Sequence, residues 1–206
     1  MAARETKQEK LLRLIAAEEP LMRAGKVVAG IDEVGRGPLA GPVVTACVAT
    51  RPDAWVLGVD DSKKLSEKKR EELYPLILES AVYAKTAWIW PEEIDEINIL
   101  NATKKAMEQC AVELNGAVFF VDAVTGLSLP GEIISLIKGD SQCYAIAAAS
   151  VIAKVERDRY MIEIDKEYPQ YGFARNKGYG TAEHIRALKE FGPCPYHRKS
   201  FIRSFI

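Results

Sequence analysis

Cysteine and histidine are both scarce in this sequence. There are four cysteines and two histidines in 206 residues. Cys47, Cys110, Cys143 and Cys194 form no CxxC pair, which leaves no cysteine-framed metal or redox motif. Three of them lie in apolar stretches, as free buried thiols of a reducing compartment do. No Ser-His-Asp or Cys-His constellation for covalent catalysis stands out. No apolar run approaches the roughly 18 residues of a membrane span. No apolar segment backs the N-terminal MAARETK, so neither a membrane anchor nor a secretory leader is expected, and the expected location is cytoplasmic. Charge of one sign is not in excess either: 28 Lys and Arg face 29 Asp and Glu, a net charge of −1. The overall basicity of many nucleic-acid binders is therefore absent. Repeats, low-complexity stretches and internal linkers are also missing, and the length suits one domain over residues 1–206.

What is present is a patterned α/β chain. Residues 91–96 are acidic, while residues 63–70 and the tail from Arg175 are basic, so one side can still hold a phosphate backbone. Amphipathic or capped segments predict helices over residues 6–19, 66–78, 101–114, 141–168 and 181–191, with Ser66 and Thr181 as N-caps. Apolar or alternating runs predict strands over residues 26–34, 43–49, 81–90, 117–122 and 132–138. The short Gly/Pro turn after the first strand makes the first two antiparallel neighbours. The sum is a mixed sheet with helices packed on it.

Acids stand at the ends of the apolar strands. Asp32 and Glu33 close the first, Asp122 closes the fourth, and Asp140 follows the fifth. Side chains alternate along a strand, so Asp32 and Glu33 share a site only if Glu33 lies at the turn. Acids at the mouths of neighbouring strands converge on a crevice. Such a group repels itself unless a cation intervenes, and hard oxygen donors suit Mg²⁺ or Mn²⁺. Each acid also has a plainer role open to it. Asp140 borders a helix start and can serve as its cap, and Asp122 can close a turn.

The segments carrying these acids resemble a known family. GIDEVGRGPLAGP at residues 30–42 is similar to the N-terminal signature of ribonuclease HII, the type 2 ribonuclease H family. DDSKKLS at 60–66, VDA at 121–123, KGD at 138–140, AAASVIAK at 147–154 with Arg157 and Asp158, GYGT at 178–181 and HRKSF at 197–201 follow in the family's order. The resemblance implies a ribonuclease H-like fold: a five-stranded mixed sheet flanked by helices, with extra C-terminal helices. It also implies an N-terminal helix within about residues 1–24 and a substrate-contacting extension over about residues 160–206. Its metal-binding acids fall on Asp32, Glu33, Asp122 and Asp140, holding two Mn²⁺ or Mg²⁺ ions. Its junction-reading turn falls on Gly35, Arg36 and Gly37, and its sugar-stacking tyrosine on Tyr179. By that resemblance, Arg36 and the short N-terminus favour type 2 over the related ribonuclease HIII.

The implied reaction is hydrolysis of the RNA strand of RNA–DNA hybrids. It includes incision 5′ to a single ribonucleotide in duplex DNA, leaving 5′-phosphate and 3′-hydroxyl ends, in ribonucleotide removal and primer processing. A monomer acting on nucleic acid is expected. Gly35 and Gly37 would admit a sugar-phosphate closely, and Arg36 would grip a phosphate or join an ion pair. Tyr179 would stack on a sugar or fold back on the core. Lys63, Lys64, Lys177, Arg198 and Lys199 would meet backbone phosphates or remain solvated. Lys154 and Arg157 would face the acids or solvent. His184 reads as a surface or structural residue, and His197 has no assigned role. Three other readings stay open: another nuclease or integrase of this fold, a non-catalytic hybrid-binding module, and an α/β domain whose acids are caps.

Overall fold

The structure, a computed structural model, describes residues 5–206. Residues 1–4 of the expected N-terminal segment lie outside the described residues. Helix α1 spans Lys7–Ile15 and opens with a reciprocal capping box between Thr6 and Glu9. The expected helix over residues 6–19 is broken there, and a short α2 follows at Glu19–Arg23 with Pro20 in its first turn. Proline lacks the amide that would continue α1 but suits a new first turn.

Five strands form one sheet: β1 Val28–Val34, β2 Val43–Thr50, β3 Ala81–Ile89, β4 Val118–Asp122 and β5 Glu132–Leu136, in the order β3-β2-β1-β4-β5. β2 is antiparallel to β1 and β3, while β4 runs parallel to β1 and β5. This is the mixed sheet expected, with β1 and β2 as the antiparallel pair. Because β1 and β4 are parallel, their acid-bearing ends lie at the same edge.

Helices cover both faces. α3 (Glu67–Ser80), capped by Ser66 as anticipated, passes through Pro75 because Leu73 and Ile77 are buried on its far half. α4 (Pro91–Ile97) forms where the sequence showed only an acidic stretch, and Ile94 buries against the core. α5 (Ile99–Ala111) packs over one face with Ala29, Ile31, Phe119 and Val121 beneath it. The opposite face holds α6 (Tyr144–Glu167), whose first ten residues are buried on every side. Gly30 makes that contact possible. A Cβ there would lie 2.1 Å from the backbone of Ala145 and Ile146. The C-terminal part adds α7 (Phe173–Asn176), α8 (Ala182–Phe191) and α9 (Lys199–Ile202), with Thr181 capping α8 as anticipated.

Candidate active site

Strand register brings the first two acids together. Ile31 pairs with Val121 across β1 and β4, so one residue further Asp32 stands level with Asp122. Gly30 on β1 and Val118 and Phe120 on β4 meet α6, and alternation places both aspartates on that face. Asp140 arrives from the turn ahead of α6, a 3-10 segment at Gly139–Ser141. Its backbone is tied to the sheet: the Gly139 amide donates to Asp122 Oδ1 at 2.9 Å. Asp140 does not cap α6. That position belongs to Cys143, which makes no side-chain cap bond, and the Ala145 amide donates instead to Glu18.

Glu33 stays inside β1, paired with Thr45, rather than at the turn. Alternation sends it to the other face, yet its charge feels Asp122 and Lys63. Its Oε1 accepts from Arg36 at 3.3 Å, so the ion-pair role for Arg36 is realised here. Its Oε2 is buried without a partner.

The electrostatics follow from this crowding. Burial, then the neighbouring Glu33, raises Asp32 well above the usual carboxylate range. Burial also raises Glu33 against the pull of Arg36, and raises Asp140, with Asp61 adding to it. Lys63 is the resident counter-charge. Its Nζ sits 3.3 Å from Asp140 Oδ2. Burial opposes its charge, but Asp32, Asp140 and Asp61 outweigh that and raise its pKa. Lys63, Lys64, Asp61, Asp122, Lys138, Asp140 and Ser141 line a cleft of about 360 Å³. Asp61 was not singled out from the sequence. It accepts from the Lys63 amide at 2.9 Å and is buried.

Among the described residues, no three His, Cys, Asp or Glu side chains already surround one ion position. The donor set nevertheless fits a hard divalent cation. It is all oxygen, and it carries an unpartnered buried atom on Glu33 and mutually repelling carboxylates.

The second part of the site is the loop over residues 35–42. Gly35 has φ +91°, and a Cβ there would lie 2.3 Å from Arg157 Nε. Its glycine is required by the inside of the protein, not by an incoming ligand. Gly37 differs. A Cβ there would meet only Tyr179 Cε1, at 3.7 Å, and Tyr179 is 42% exposed.

The Tyr179 loop hangs on a buried pair of imidazoles. His184 Nδ1 bonds to the Tyr179 carbonyl at 2.9 Å and its Nε2 to His197 Nε2 at 3.0 Å, while His197 Nδ1 accepts from the Cys194 amide at 3.0 Å. Burial lowers both pKa values, His197 to about 4, so both rings are neutral near pH 7. His184 is thus structural, and His197 is its partner.

Several cations are placed differently from expectation. Lys177 is buried and its ammonium donates to the Ala174 carbonyl, so it is not offered to a phosphate. Arg198 is wholly buried and cannot take that role either. Arg157 is fully enclosed and faces neither the acids nor solvent, while Lys154 is partly buried and pairs with Asp158 at 2.6 Å.

Comparison with known proteins bears on the family and the fold. A family model described as Ribonuclease HII matches residues 29–204. The ribonuclease HII of Acetivibrio thermocellus is 50% identical over 194 residues, covering 93% of this chain and 76% of its own. That of Chlamydia trachomatis serovar D is 56% identical over 178 residues, covering 84% and 81%. Among solved structures, the PCNA:RNase HII complex from Archaeoglobus fulgidus aligns with TM-score 0.73 at 27% identity, covering 86% of this chain and 96% of that one. Bst-RNase HIII in complex with Mn²⁺ shares the fold, with TM-score 0.69 at 17% identity over 85% and 67%. With a sheet of this order, acids at its shared edge and a match over nearly the whole length, the chain belongs to the ribonuclease HII family.

Proposed function

We propose that the chain is an endoribonuclease that hydrolyses the RNA strand of RNA–DNA hybrids and incises duplex DNA 5′ to a single ribonucleotide. In this reading Asp32, Glu33, Asp122 and Asp140 hold two Mn²⁺ or Mg²⁺ ions. The observation that carries it is geometric: parallel register sets Asp32 level with Asp122 at one sheet edge, the Gly139 amide on Asp122 Oδ1 brings Asp140 beside them, and Lys63 sits 3.3 Å from Asp140, where burial and neighbouring acids raise Asp32, Glu33 and Asp140. A divalent ion removes that repulsion. When bound, the ions supply charge neutralisation at the scissile phosphate and activation of water.

The chain's own residues do the rest. Asp122 orients the Gly139 amide and so fixes where Asp140 stands. Lys63, with its side chain 75% exposed beside Asp140, holds a backbone phosphate across the cleft. Gly37 leaves open space beside the Tyr179 ring, so a sugar can lie against that ring while turn amides meet its 2′-hydroxyl, the group that separates RNA from DNA. Arg36, exposed next to Glu33, exchanges that pair for a phosphate.

The test is a DNA duplex with one ribonucleotide, incubated in Mg²⁺, Mn²⁺ or chelator beside an Asp122→Asn variant. A metal-dependent cut 5′ to the ribonucleotide, reduced at least 10²-fold in the variant, is expected. Binding without cleavage in either metal would point to a binding module. A cut that survives in the variant would remove Asp122 from the site.

A further inference from the structure

Two of the largest enclosed side chains in the molecule are cations, Arg157 and Arg198. Every hydrogen bond their guanidiniums make goes to a main-chain carbonyl. Arg198 donates to Gly35 at 2.6 Å, to Arg36 at 3.0 Å and to Gly41 at 2.8 and 2.9 Å. Arg157 donates to Pro42 and Lys177 at 2.9 Å and to Ala40 at 3.1 Å. The two side chains therefore hold the β1–β2 loop from within and join it to the loop that carries Tyr179.

Stability alone does not account for this. An enclosed cation without an ionic partner is costly, and a packed apolar side chain of similar volume fills such space more cheaply. Burial lowers both pKa values, to about 10 for Arg157 and about 9 for Arg198, so both remain charged near pH 7. What the pair does is orient peptide planes. In a trans peptide the carbonyl and the following amide point in opposite directions, and no peptide among the described residues is cis. With the Gly35 and Arg36 carbonyls drawn inward, the amides of Arg36 and Gly37 are turned outward. Both of those residues are exposed, while Gly35 is buried. Gly35 is what lets Arg157 lie against the turn.

We propose that Arg198, supported by Arg157, is a positioning residue for the ribose-reading turn: it presents the Arg36 and Gly37 amides to the substrate and sets a fixed positive charge behind them. This rests on the reading of residues 35–37 given under the proposed function. Asp95 takes part at one remove. It accepts from the Lys199 and Ser200 amides at 2.7 and 2.9 Å and so holds the start of the segment that follows Arg198.

The experiment compares affinity for a duplex with one ribonucleotide against the same duplex in all-DNA form. It uses the non-cutting Asp122→Asn background, with and without Arg198→Lys, and checks each protein by circular dichroism and melting. Lysine keeps the charge but cannot span three carbonyls. The expected result is a folded protein whose preference for the ribonucleotide falls at least 10-fold, while all-DNA affinity changes less than 3-fold. A purely structural role lowers both affinities together, and that result overturns the proposal. An unchanged preference in a folded Arg198→Lys protein overturns it as well. No preference in the background protein itself sinks the turn reading, and the proposal with it. Should Arg198→Lys not fold, Asp95→Asn decides: a loss of preference of at least 3-fold supports the role of Arg198, and no loss overturns it.

Discussion

Asp32 is costly to the protein before any ion arrives. It is buried, and its nearest charged neighbours include Glu33 and Asp122. An acid whose folded pKa lies above its unfolded value destabilises the fold once ionised, so replacing it with a neutral isostere stabilises at neutral pH. Asp32→Asn is therefore expected to melt about 2–4 °C higher than wild type in chelator, the equivalent of roughly 1 kcal/mol for a domain of this size, while losing cleavage. Calorimetry in EDTA checks this, and a lower melting temperature would show that the acids are not in mutual repulsion. At this scale Asp32, Glu33 and Asp122 stood out because they close apolar runs, and Asp140 because it follows one shortly after. Asp61 was not, since one acid in a polar DDSKK segment carries no periodic signal. Arg157 and Arg198 were misread for a related reason: a basic side chain on a helix face or in a polar tail reads as solvated or ligand-facing, and only packing shows that carbonyls surround it.

At the scale of elements, α6 is the piece on which the site is built, and its N-terminus is held by a residue from far upstream. Glu18 accepts from the Ala145 amide at 3.2 Å, while its Oε2 is buried without a partner. Burial pushes its pKa up from near 4.5 to about 8. Between those values the unfolded chain has lost a proton that the folded chain keeps, so this group's contribution falls as pH rises from about 5 through about 8. Glu18→Gln keeps the accepting oxygen and removes that loss. It should gain roughly 1–3 kcal/mol over wild type at pH 9 and little at pH 5. Urea unfolding at the two pH values decides it, and equal gains at both would exclude titration as the cause. The α6 boundary was expected at Ser141 but falls at Tyr144, because residues 139–141 form a separate turn tied to Asp122.

The whole molecule is nearly neutral, with a net charge of −1, yet the acid cleft is rimmed by Lys63, Lys64 and Lys138. Binding to nucleic acid should therefore depend on few phosphate partners and respond modestly to salt. Removing one lysine–phosphate pair reduces the slope of log K against log salt by about 0.9 on duplex DNA. The double change Lys63→Ala, Lys64→Ala should reduce that slope by about 1–2, measured by anisotropy over a potassium chloride series. An unchanged slope would move the phosphate track away from this rim.

The fold class and the five strands follow from the sequence alone, because strand-length apolar runs leave little choice of element; the pattern put acids at strand ends, and the family resemblance picked out Asp32, Glu33, Asp122 and Asp140 as a metal set. How those acids meet did not follow. It required the parallel pairing of β1 with β4, which sets Asp32 level with Asp122, and the close seat of α6 on Gly30. The inward turn of the Gly35 and Arg36 carbonyls and the His184–His197 support beneath Tyr179 likewise depend on groups 163, 162 and 13 residues apart in the chain. Periodicity reports which way a side chain faces within its own element; which distant group it meets there is decided by tertiary packing.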